Sequence, residues 1–263
     1  MKKLVCWVTV IMMLLTCCPM AFAQEAELLL VAETVYGTVS GVAETEDVAI
    51  FKGVPYAAPP VGELRWKAPQ DPESWEGVLA CDEYAPMAMQ ILSTTDWYGP
   101  EFYYEYMDSY PNMSEDCLYL NVATPATSVD DNYPVIVYIH GGANMHGYSY
   151  EPEFDPTQLA NKGVVVVTIG HRLGLFGYMA TPELSEDSDY GSSGNYTLLD
   201  LIKGLEWVQE NIASFGGDPS RVTIAGQSAG AGSVLNLMVS PMAKGLFHNA
   251  FLSTRSINVF GTI

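Results

Sequence analysis

Basic residues are scarce in this sequence. Its 263 residues include 11 Lys and Arg against 31 Asp and Glu, and only 16% of all residues are charged. This balance excludes a nucleic acid as partner, because phosphate binding needs a surplus of Lys and Arg. We interpret the acidic surface as a source of solubility rather than as a site for a cationic ligand.

Long apolar runs are also missing from the body of the chain. Beyond residue 24 the purest run extends only from Gly163 to Ile169, whereas a membrane-spanning helix needs about 20 apolar residues. A polytopic membrane protein is therefore excluded. The chain has no internal repeat and no low-complexity linker, and its 49% of hydrophobic residues are enough for the core of one globular domain.

The first 23 residues differ in character from the rest. Lys2 and Lys3 precede an apolar stretch from Leu4 to Thr16, and small residues at Ala21 and Ala23 offer a cleavage site. This pattern predicts a secretory signal peptide over residues 1–23. The mature domain would then be secreted or periplasmic.

Residues 24–263 are the predicted mature domain, with nine basic residues against 31 acidic ones. A lipid anchor at Cys17 or an uncleaved membrane anchor is the alternative to cleavage. Two cysteines remain in the mature domain, Cys81 and Cys117. Their even number in an oxidising compartment predicts a disulfide, and two buried free thiols are the alternative.

The order of apolar patterns along the chain predicts the fold class. Runs rich in Val and Ile alternate with amphipathic helical stretches, which favours an α/β fold with a mostly parallel central sheet and helices on both faces. Residues 82–116 carry aromatic and acidic side chains without a clear period, which predicts a long surface loop. The predicted strands are Val48–Phe51, Leu118–Val122, Pro134–Ile139, Val164–Ile169 and Val222–Ala225, with the last three adjacent, and the predicted helices are Leu198–Ser214 and Ala229–Val239.

A Gly-x-Ser-x-Gly element lies at the junction of the last predicted strand and helix. Gly226 and Gly230 flank Ser228 by two residues on either side. A turn from strand to helix sharp enough to expose the Ser228 hydroxyl would bring these positions into collision unless they were glycine. Ser228 would also begin a helix, whose free N–H groups favour a developing oxyanion. The element predicts a nucleophilic serine.

A second glycine element follows the strand that ends at Ile139. His140 is followed by Gly141, Gly142 and Ala143, small residues that let backbone N–H groups approach a substrate closely. An ordinary tight turn is the alternative for a Gly-Gly pair. Because the Gly-Gly pair occurs together with the Gly-x-Ser-x-Gly element, we favour an oxyanion-binding loop over an ordinary turn.

These elements resemble the type-B carboxylesterases, a family that includes the cholinesterases and their non-catalytic adhesion homologues. The segment from Phe215 to Gly230 is similar to the family's nucleophile signature along its whole length, and Glu115 to Val122 is similar to its second signature. The resemblance extends over about residues 33 to 252. It implies an α/β-hydrolase fold and a carboxylic-ester hydrolase that uses no metal or other cofactor.

The resemblance also implies roles for individual residues. Ser228 would be the nucleophile, with Gly226 and Gly230 forming the nucleophile elbow. The remaining implied roles are oxyanion donors at the N–H groups of Gly142, Ala143 and Ala229, a loop disulfide between Cys81 and Cys117, and a structural ion pair between Arg65 and Glu115. Gln227 stands where cholinesterases have Glu, which argues against a cholinesterase and leaves another small carboxylic ester as the expected substrate.

The acid and the His of a catalytic triad are not found where this fold carries them. Hydrolases of this fold have the order Ser, then Asp or Glu, then His, and the 35 residues after Ser228 contain His248 but no acid. We assign neither His248 nor the earlier His140, His146 and His171 as the base. The sequence is therefore expected to be the N-terminal half of the catalytic domain.

Several alternatives stay open at this point. A naturally shortened enzyme could take its base from elsewhere, with His146 as the remote substitute. The same scaffold could also carry lactonase or amidase chemistry, because the acyl-enzyme step is shared. An adhesion-type binding module and an inactive fragment are the non-catalytic alternatives.

Overall fold

The computed structural model of the chain describes residues 27–91 and 111–254. The predicted signal peptide with Cys17, and the aromatic residues 97–106 of the predicted loop, lie outside these ranges. Within them, no helix combines the length and the apolar character needed to cross a membrane.

Twelve strands and five α-helices occur in the described ranges. The strands are β1 (Val31–Thr34), β2 (Gly37–Ser40), β3 (Val42–Ala43), β4 (Ala49–Pro55), β5 (Val78–Ala80), β6 (Met87–Ala88), β7 (Met113–Ser114), β8 (Tyr119–Thr124), β9 (Tyr133–Ile139), β10 (Val165–Ile169), β11 (Gly217–Gln227) and β12 (Asn249–Ser253). The helices are α1 (Thr157–Ala160), α2 (Gly174–Tyr178), α3 (Pro182–Glu186), α4 (Tyr196–Asn211) and α5 (Ala229–Val239).

The central sheet confirms the predicted α/β fold and the adjacency of the three Val- and Ile-rich runs. Its order is β12-β11-β9-β10-β8-β4-β3, and β12, β11, β9 and β10 are parallel to one another. The other three strands pair antiparallel, so the described part of the sheet is mixed rather than mostly parallel. Only eight residues join β8 to β9, fewer than the dozen or more that a parallel crossover needs.

Both faces of the sheet are covered, and the larger core lies on one of them. Neighbouring residues of β4 show this: Phe51 belongs to the large cluster that includes Trp207 of α4, and Ile50 belongs to a small cluster with Ala160 of α1. Successive strand residues point to opposite faces. Helices α4 and α5 therefore pack on one face and α1 on the other.

Helix α4 confirms the predicted amphipathic helix, with boundaries shifted by a few residues. It begins at Tyr196 rather than Leu198, and after Asn211 the chain continues as a single 3-10 turn to Phe215. Gly216 then takes a left-handed conformation with φ 74°, which glycine adopts without steric cost. This glycine ends the helical segment and lets β11 begin at the next residue.

The predicted surface loop over residues 82–116 is wrong in part. Met87 and Ala88 are buried and form β6, which pairs parallel with β7. Tyr84 stacks on Tyr150 with ring centroids 4.4 Å apart. Apolar and aromatic contacts therefore fold the two ends of this segment onto the body of the protein.

The predicted disulfide between Cys81 and Cys117 is not formed, and both residues are buried free thiols. The carbonyl of Cys81 accepts a hydrogen bond from the N–H of Lys52, whereas Cys117 precedes Tyr119, which pairs with Pro55. The two cysteines are thus next to different residues of β4.

Burial also keeps both thiols protonated. It raises the pKa of the Cys81 thiol to about 12 and raises that of Cys117 further. Since the thiolate is the reactive form, these two cysteines behave as small core residues.

Candidate active site

The candidate site lies where the four parallel strands end. Because β9, β10, β11 and β12 run in the same direction, the segments that follow them meet at one edge of the sheet. The predicted oxyanion loop follows β9, His171 follows β10, and Ser228 stands between β11 and α5. The topology thus brings the two glycine elements predicted from the sequence to the same place.

Ser228 occupies a sharp turn between strand and helix. Its backbone has φ 54° and ψ −117°, a combination rarely adopted by non-glycine residues, which costs on the order of 1–3 kcal/mol. The Ser228 N–H donates to the carbonyl of Ser253 at the end of β12, and the Ser228 carbonyl accepts from Gly232 in the first turn of α5. These bonds hold the strained turn, and the residue remains partly exposed.

Gly226 and Gly230 lie where this turn folds back on itself. A Cβ atom at Gly226 would stand 2.5 Å from the carbonyl carbon and oxygen of Gly230, and one at Gly230 would overlap the carbonyl oxygen of Ile139 on β9. Backbone atoms cannot move aside as a flexible side chain can. The predicted steric requirement for glycine at both positions therefore has a direct structural basis.

We expect Gly230→Ala to lower the free energy of unfolding by about 2–3 kcal/mol, because the added methyl group collides with the backbone of β9. Gly232→Ala is the matched control, since no atom lies within 4 Å of a Cβ built at that position of the same helix. Alanine there should stabilise the protein by about 0.5–1 kcal/mol through helix propensity. Urea denaturation followed by circular dichroism measures both, and equal effects would contradict the packing argument.

The predicted oxyanion loop lies directly against Ser228. A Cβ built on Gly141 would lie 2.7 Å from Oε1 of Gln227 and 3.3 Å from the Cβ atom of Ser228. Gly142 and Ala143 both have positive φ, 88° and 55°, and turn the backbone sharply after β9. Among the described residues, no acceptor is found for the N–H groups of Gly142 and Ala143.

Two imidazole rings are stacked beside this loop, a contact that the sequence analysis missed. The rings of His140 and His171 have centroids 4.4 Å apart and planes within 2° of each other. Both residues are buried, and this burial lowers the pKa of each ring, with the nearby His171 lowering that of His140 further. Both rings are therefore neutral at pH 7. The only available sequence signal was that each His follows a buried strand.

This buried pair predicts a loss of stability in mild acid. Below pH 6.5, the usual pKa of histidine, both imidazoles take up protons in the unfolded chain but not in the folded one. The free energy of unfolding should therefore fall by about 1.4 kcal/mol per pH unit for each ring as the pH drops from 6.5 towards the lowered folded-state values. Urea titrations at several pH values give the free energy of unfolding as a function of pH. The slope of this plot should be smaller by the contribution of one proton in His171→Phe. An unchanged slope would show that His171 takes up its proton equally in the folded and the unfolded protein, and would contradict the buried neutral ring.

Two ion pairs support the segments around the site. Arg65 and Glu115 form the pair predicted from the sequence, with Nε–Oε2 and Nη2–Oε1 distances of 2.5 and 2.6 Å. Arg172, next to His171, forms a second bidentate pair with Asp200 of α4, and both of these side chains are buried. The Arg172–Asp200 pair connects the end of β10 to helix α4.

No hydrogen bond joins the Ser228 hydroxyl to an imidazole in the ranges 27–91 and 111–254. The Nδ1 atoms of His140 and His171 face the carbonyl oxygens of the residues that follow them. His248 directly precedes β12, where its backbone and its Nδ1 atom both pair with Val222 in the middle of β11. The described residues therefore contain the predicted nucleophile turn and oxyanion loop, and none of these three imidazoles is hydrogen-bonded to the Ser228 hydroxyl. His146, the possible substitute base, lies in the loop itself, where its backbone N–H donates to the carbonyl of Gly142.

The described residues contain no group of three or more His, Cys, Asp or Glu side chains that could hold a metal ion. A cavity of about 540 Å³ is present, but its lining includes Trp66, Lys67, Tyr196 and Met242 and none of the predicted site residues. We place the candidate site at Ser228 on backbone geometry and not at this cavity.

Comparison with known proteins identifies relatives over most of the chain. The carboxylesterase family model matches residues 29–259. Fumonisin B1 esterase from Sphingopyxis macrogoltabida is 42% identical over 239 residues, covering 91% of this chain and 42% of that enzyme. Para-nitrobenzyl esterase from Bacillus subtilis (strain 168) is 44% identical, covering 85% of this chain and 43% of the relative.

Solved structures show the same similarity. A thermophilic para-nitrobenzyl esterase matches with a TM-score of 0.74 and 43% identity, over 84% of this chain and 43% of that one. A Geobacillus stearothermophilus carboxylesterase matches with a TM-score of 0.72 and 40% identity, over 85% and 43% of the two chains. This chain spans less than half the length of these relatives. With the fold and the arrangement around Ser228, these matches show that the chain belongs to the carboxylesterase family.

Proposed function

We propose that this chain carries the nucleophile and the oxyanion hole of a serine carboxylic-ester hydrolase. Ser228 attacks the ester carbonyl carbon, the alcohol leaves, and water then hydrolyses the acyl-Ser228 intermediate. The N–H groups of Gly142, Ala143 and Ala229 stabilise the negative charge that develops on the carbonyl oxygen. No metal or other cofactor takes part in this proposal.

The observation that carries the proposal is the contact between the two glycine elements. The loop residue Gly141 approaches both the backbone of Gln227 and the side chain of Ser228, so a carbonyl group attacked by Ser228 would lie beside the N–H groups that follow Gly141. Ser228 is also held in a backbone conformation that costs free energy. Both features are needed for acyl transfer.

We further propose that the base and the acid come from outside the described residues. Acyl transfer needs an imidazole to take the proton of the serine and a carboxylate to orient that imidazole. The imidazoles of His140, His171 and His248 each pair with a backbone group and not with the Ser228 hydroxyl. The acid and the His of the triad would therefore lie in additional chain, as the sequence order of this fold implies.

The experiment is a turnover assay with a short-chain nitrophenyl ester, comparing residues 24–263 with a polypeptide that continues through a downstream acid and His. We expect robust turnover only from the longer polypeptide, since the shorter one retains donors and nucleophile but no base. Robust turnover by residues 24–263 alone would contradict the proposed origin of the base. No turnover by either polypeptide, together with specific capture of another protein, would favour the adhesion-type alternative.

Matched lactone and anilide substrates separate the remaining catalytic alternatives. An ester hydrolase should cleave the nitrophenyl ester far faster than the anilide of the same acyl group, because the amine is the poorer leaving group. A reversed preference, or faster opening of a lactone, would reassign the substrate class while leaving the acyl-serine chemistry in place.

We also propose that the domain is exported, with cleavage after Ala23, so that the mature chain begins at Gln24. A basic start, a short apolar stretch and small residues at the cleavage position support this proposal. Expression in a secreting host followed by N-terminal sequencing should give Gln24 as the first residue. A lipid-modified N-terminus at Cys17 would overturn it.

A further inference from the structure

The stacked imidazoles of His140 and His171 touch the proposed oxyanion loop through one hydrogen bond. The Nδ1 atom of His140 lies 3.1 Å from the carbonyl oxygen of Gly141. A carbonyl oxygen only accepts hydrogen bonds, so the ring must carry its proton on Nδ1. His140 therefore donates a hydrogen bond to the first residue of the loop.

This hydrogen bond orients one of the proposed oxyanion donors. The carbonyl of Gly141 and the N–H of Gly142 belong to the same peptide unit, which is planar and rigid. Fixing the direction of the carbonyl therefore fixes the direction of the N–H at the other end of the unit. The His140 ring controls where the Gly142 donor points.

The position of the His140 ring depends in turn on what surrounds it. The ring of His171 covers one face at a centroid distance of 4.4 Å. Gly147 closes the ring edge, because any Cβ atom there would collide with Nδ1 of His140. The side-chain amide of Gln90 both donates to and accepts from the backbone of Gly147, which holds that edge in place.

His171 itself is anchored from β10 and α4. Its Nδ1 atom lies 3.1 Å from the carbonyl oxygen of Arg172, and that carbonyl also accepts a hydrogen bond from Thr197 of α4 at 2.6 Å. The guanidinium group of Arg172 is bound to Asp200 of the same helix. The His171 ring is thus held by the rigid part of the fold and not by the loop.

From these contacts we propose that His171 is a positioning residue for ester hydrolysis, whose ring, stacked on His140, fixes the His140–Gly141 hydrogen bond and thereby aims the Gly142 N–H at the oxyanion. The inference rests on the proposed function of the loop. According to this proposal, position 171 needs the flat face of an aromatic ring, because His171 contacts His140 through its ring face.

The first test reads the tautomer of His140 and needs no catalytic activity. The chain has only four His residues, so ¹⁵N-histidine NMR spectra of residues 24–263 can be assigned by single substitutions. We expect His140 to be in the Nδ1–H form in the unsubstituted protein and in His171→Phe. In His171→Ala we expect the Nε2–H form to appear and the NMR order parameter of the Gly142 N–H to fall from about 0.85, the value of rigid backbone, towards about 0.6, because its peptide unit is no longer held in one direction.

Two further variants separate the hydrogen bond of His140 from the stacking of the two rings. His140→Phe keeps the stacked rings but removes the donor, and should lower the order parameter of the Gly142 N–H as much as His171→Ala does. His248→Ala removes an exposed imidazole beside Val222 and should leave the loop unchanged. An unchanged His140 tautomer and an unchanged Gly142 order parameter in His171→Ala, with the amides of α4 still protected, would overturn the inference.

The second test measures ester turnover by the longer polypeptide, which continues through a downstream acid and His. His171→Ala should lower kcat about 10-fold with KM nearly unchanged, because an oxyanion donor acts mainly in the transition state, and His171→Phe should recover most of the loss. A rise in KM alone would assign His171 to substrate binding and overturn the positioning role. If the longer polypeptide shows no turnover, the proposed function fails, and the NMR result still decides whether His171 positions the loop.

Discussion

Replacing Ser228 with alanine is expected to lower the kcat of ester hydrolysis by about 10⁴- to 10⁶-fold in a polypeptide that shows turnover. In the proposed mechanism alanine removes the atom that forms the acyl-enzyme bond, while the proposed oxyanion loop remains. The residual rate would then come from those donors acting on a water molecule. KM should change little, since the hydroxyl contributes to the reaction more than to ground-state binding.

Ser253→Ala is the matched control for this substitution. Ser253 supports the turn through its backbone carbonyl, which accepts the N–H of Ser228 at 3.1 Å, and alanine retains that carbonyl. The variant should keep activity within about 3-fold, as is usual for substitutions outside the reacting groups. Full activity in Ser228→Ala would place the nucleophile elsewhere and contradict the proposal.

The largest effect on stability is expected at the buried ion pair. Asp200→Asn should lower the free energy of unfolding by about 3–5 kcal/mol, because it leaves the Arg172 guanidinium buried without a counter-charge. The carboxylate accepts hydrogen bonds from Nε and Nη2 of Arg172 at 2.9 and 2.6 Å, and a third from the Arg172 backbone at 3.1 Å. An amide cannot replace all three of these charge-assisted bonds.

The control for this prediction is Asp71→Asn, which removes an exposed carboxylate paired with the same helix. Asp71 pairs with Lys203 of α4, but its side chain is 68% exposed, so its removal should cost at most about 1 kcal/mol. Thermal and urea denaturation of the two variants measures the difference. Equal costs would mean that solvent reaches the Arg172–Asp200 pair and that it does not anchor the end of β10.

Most of what positions Ser228 could be predicted from the sequence. Continuous Val and Ile runs are typical of strands covered on both faces, and their alternation with a helical pattern predicted that β9, β10 and β11 are adjacent. Gly226 and Gly230 were predicted from the steric demands of a strand-to-helix turn. The structure shows the backbone contacts that create this demand.

The features that the sequence could not predict depend on contacts between distant segments. The pairing of Cys81 with Cys117 was predicted from an even count and an export signal, but both are free thiols in the folded chain. The antiparallel half of the sheet follows from connection lengths that become visible once the strand boundaries are known. The His140–His171 stack likewise depends on the register of β9 against β10, which no local pattern encodes.

One surface feature bears on how the protein should be handled. Edge strand β12 and the outer face of α5 expose Phe251, Leu252, Met238 and Val239, with Phe251 62% and Val239 75% exposed. An unpaired strand edge next to apolar side chains favours association between molecules. Experiments on residues 24–263 alone therefore need low protein concentration and a check of the monomeric state.

The central claim is that Ser228 is the nucleophile, and covalent labelling tests it most directly. The polypeptide with turnover would be treated with an alkyl fluorophosphonate, which transfers its phosphorus to an activated serine as fluoride leaves, and then digested and analysed by tandem mass spectrometry. We expect one adduct, on the peptide that contains Ser228, with loss of esterase activity in proportion to labelling and no adduct in Ser228→Ala. Stoichiometric labelling of a different residue, or complete inactivation with Ser228 unmodified, would contradict this account.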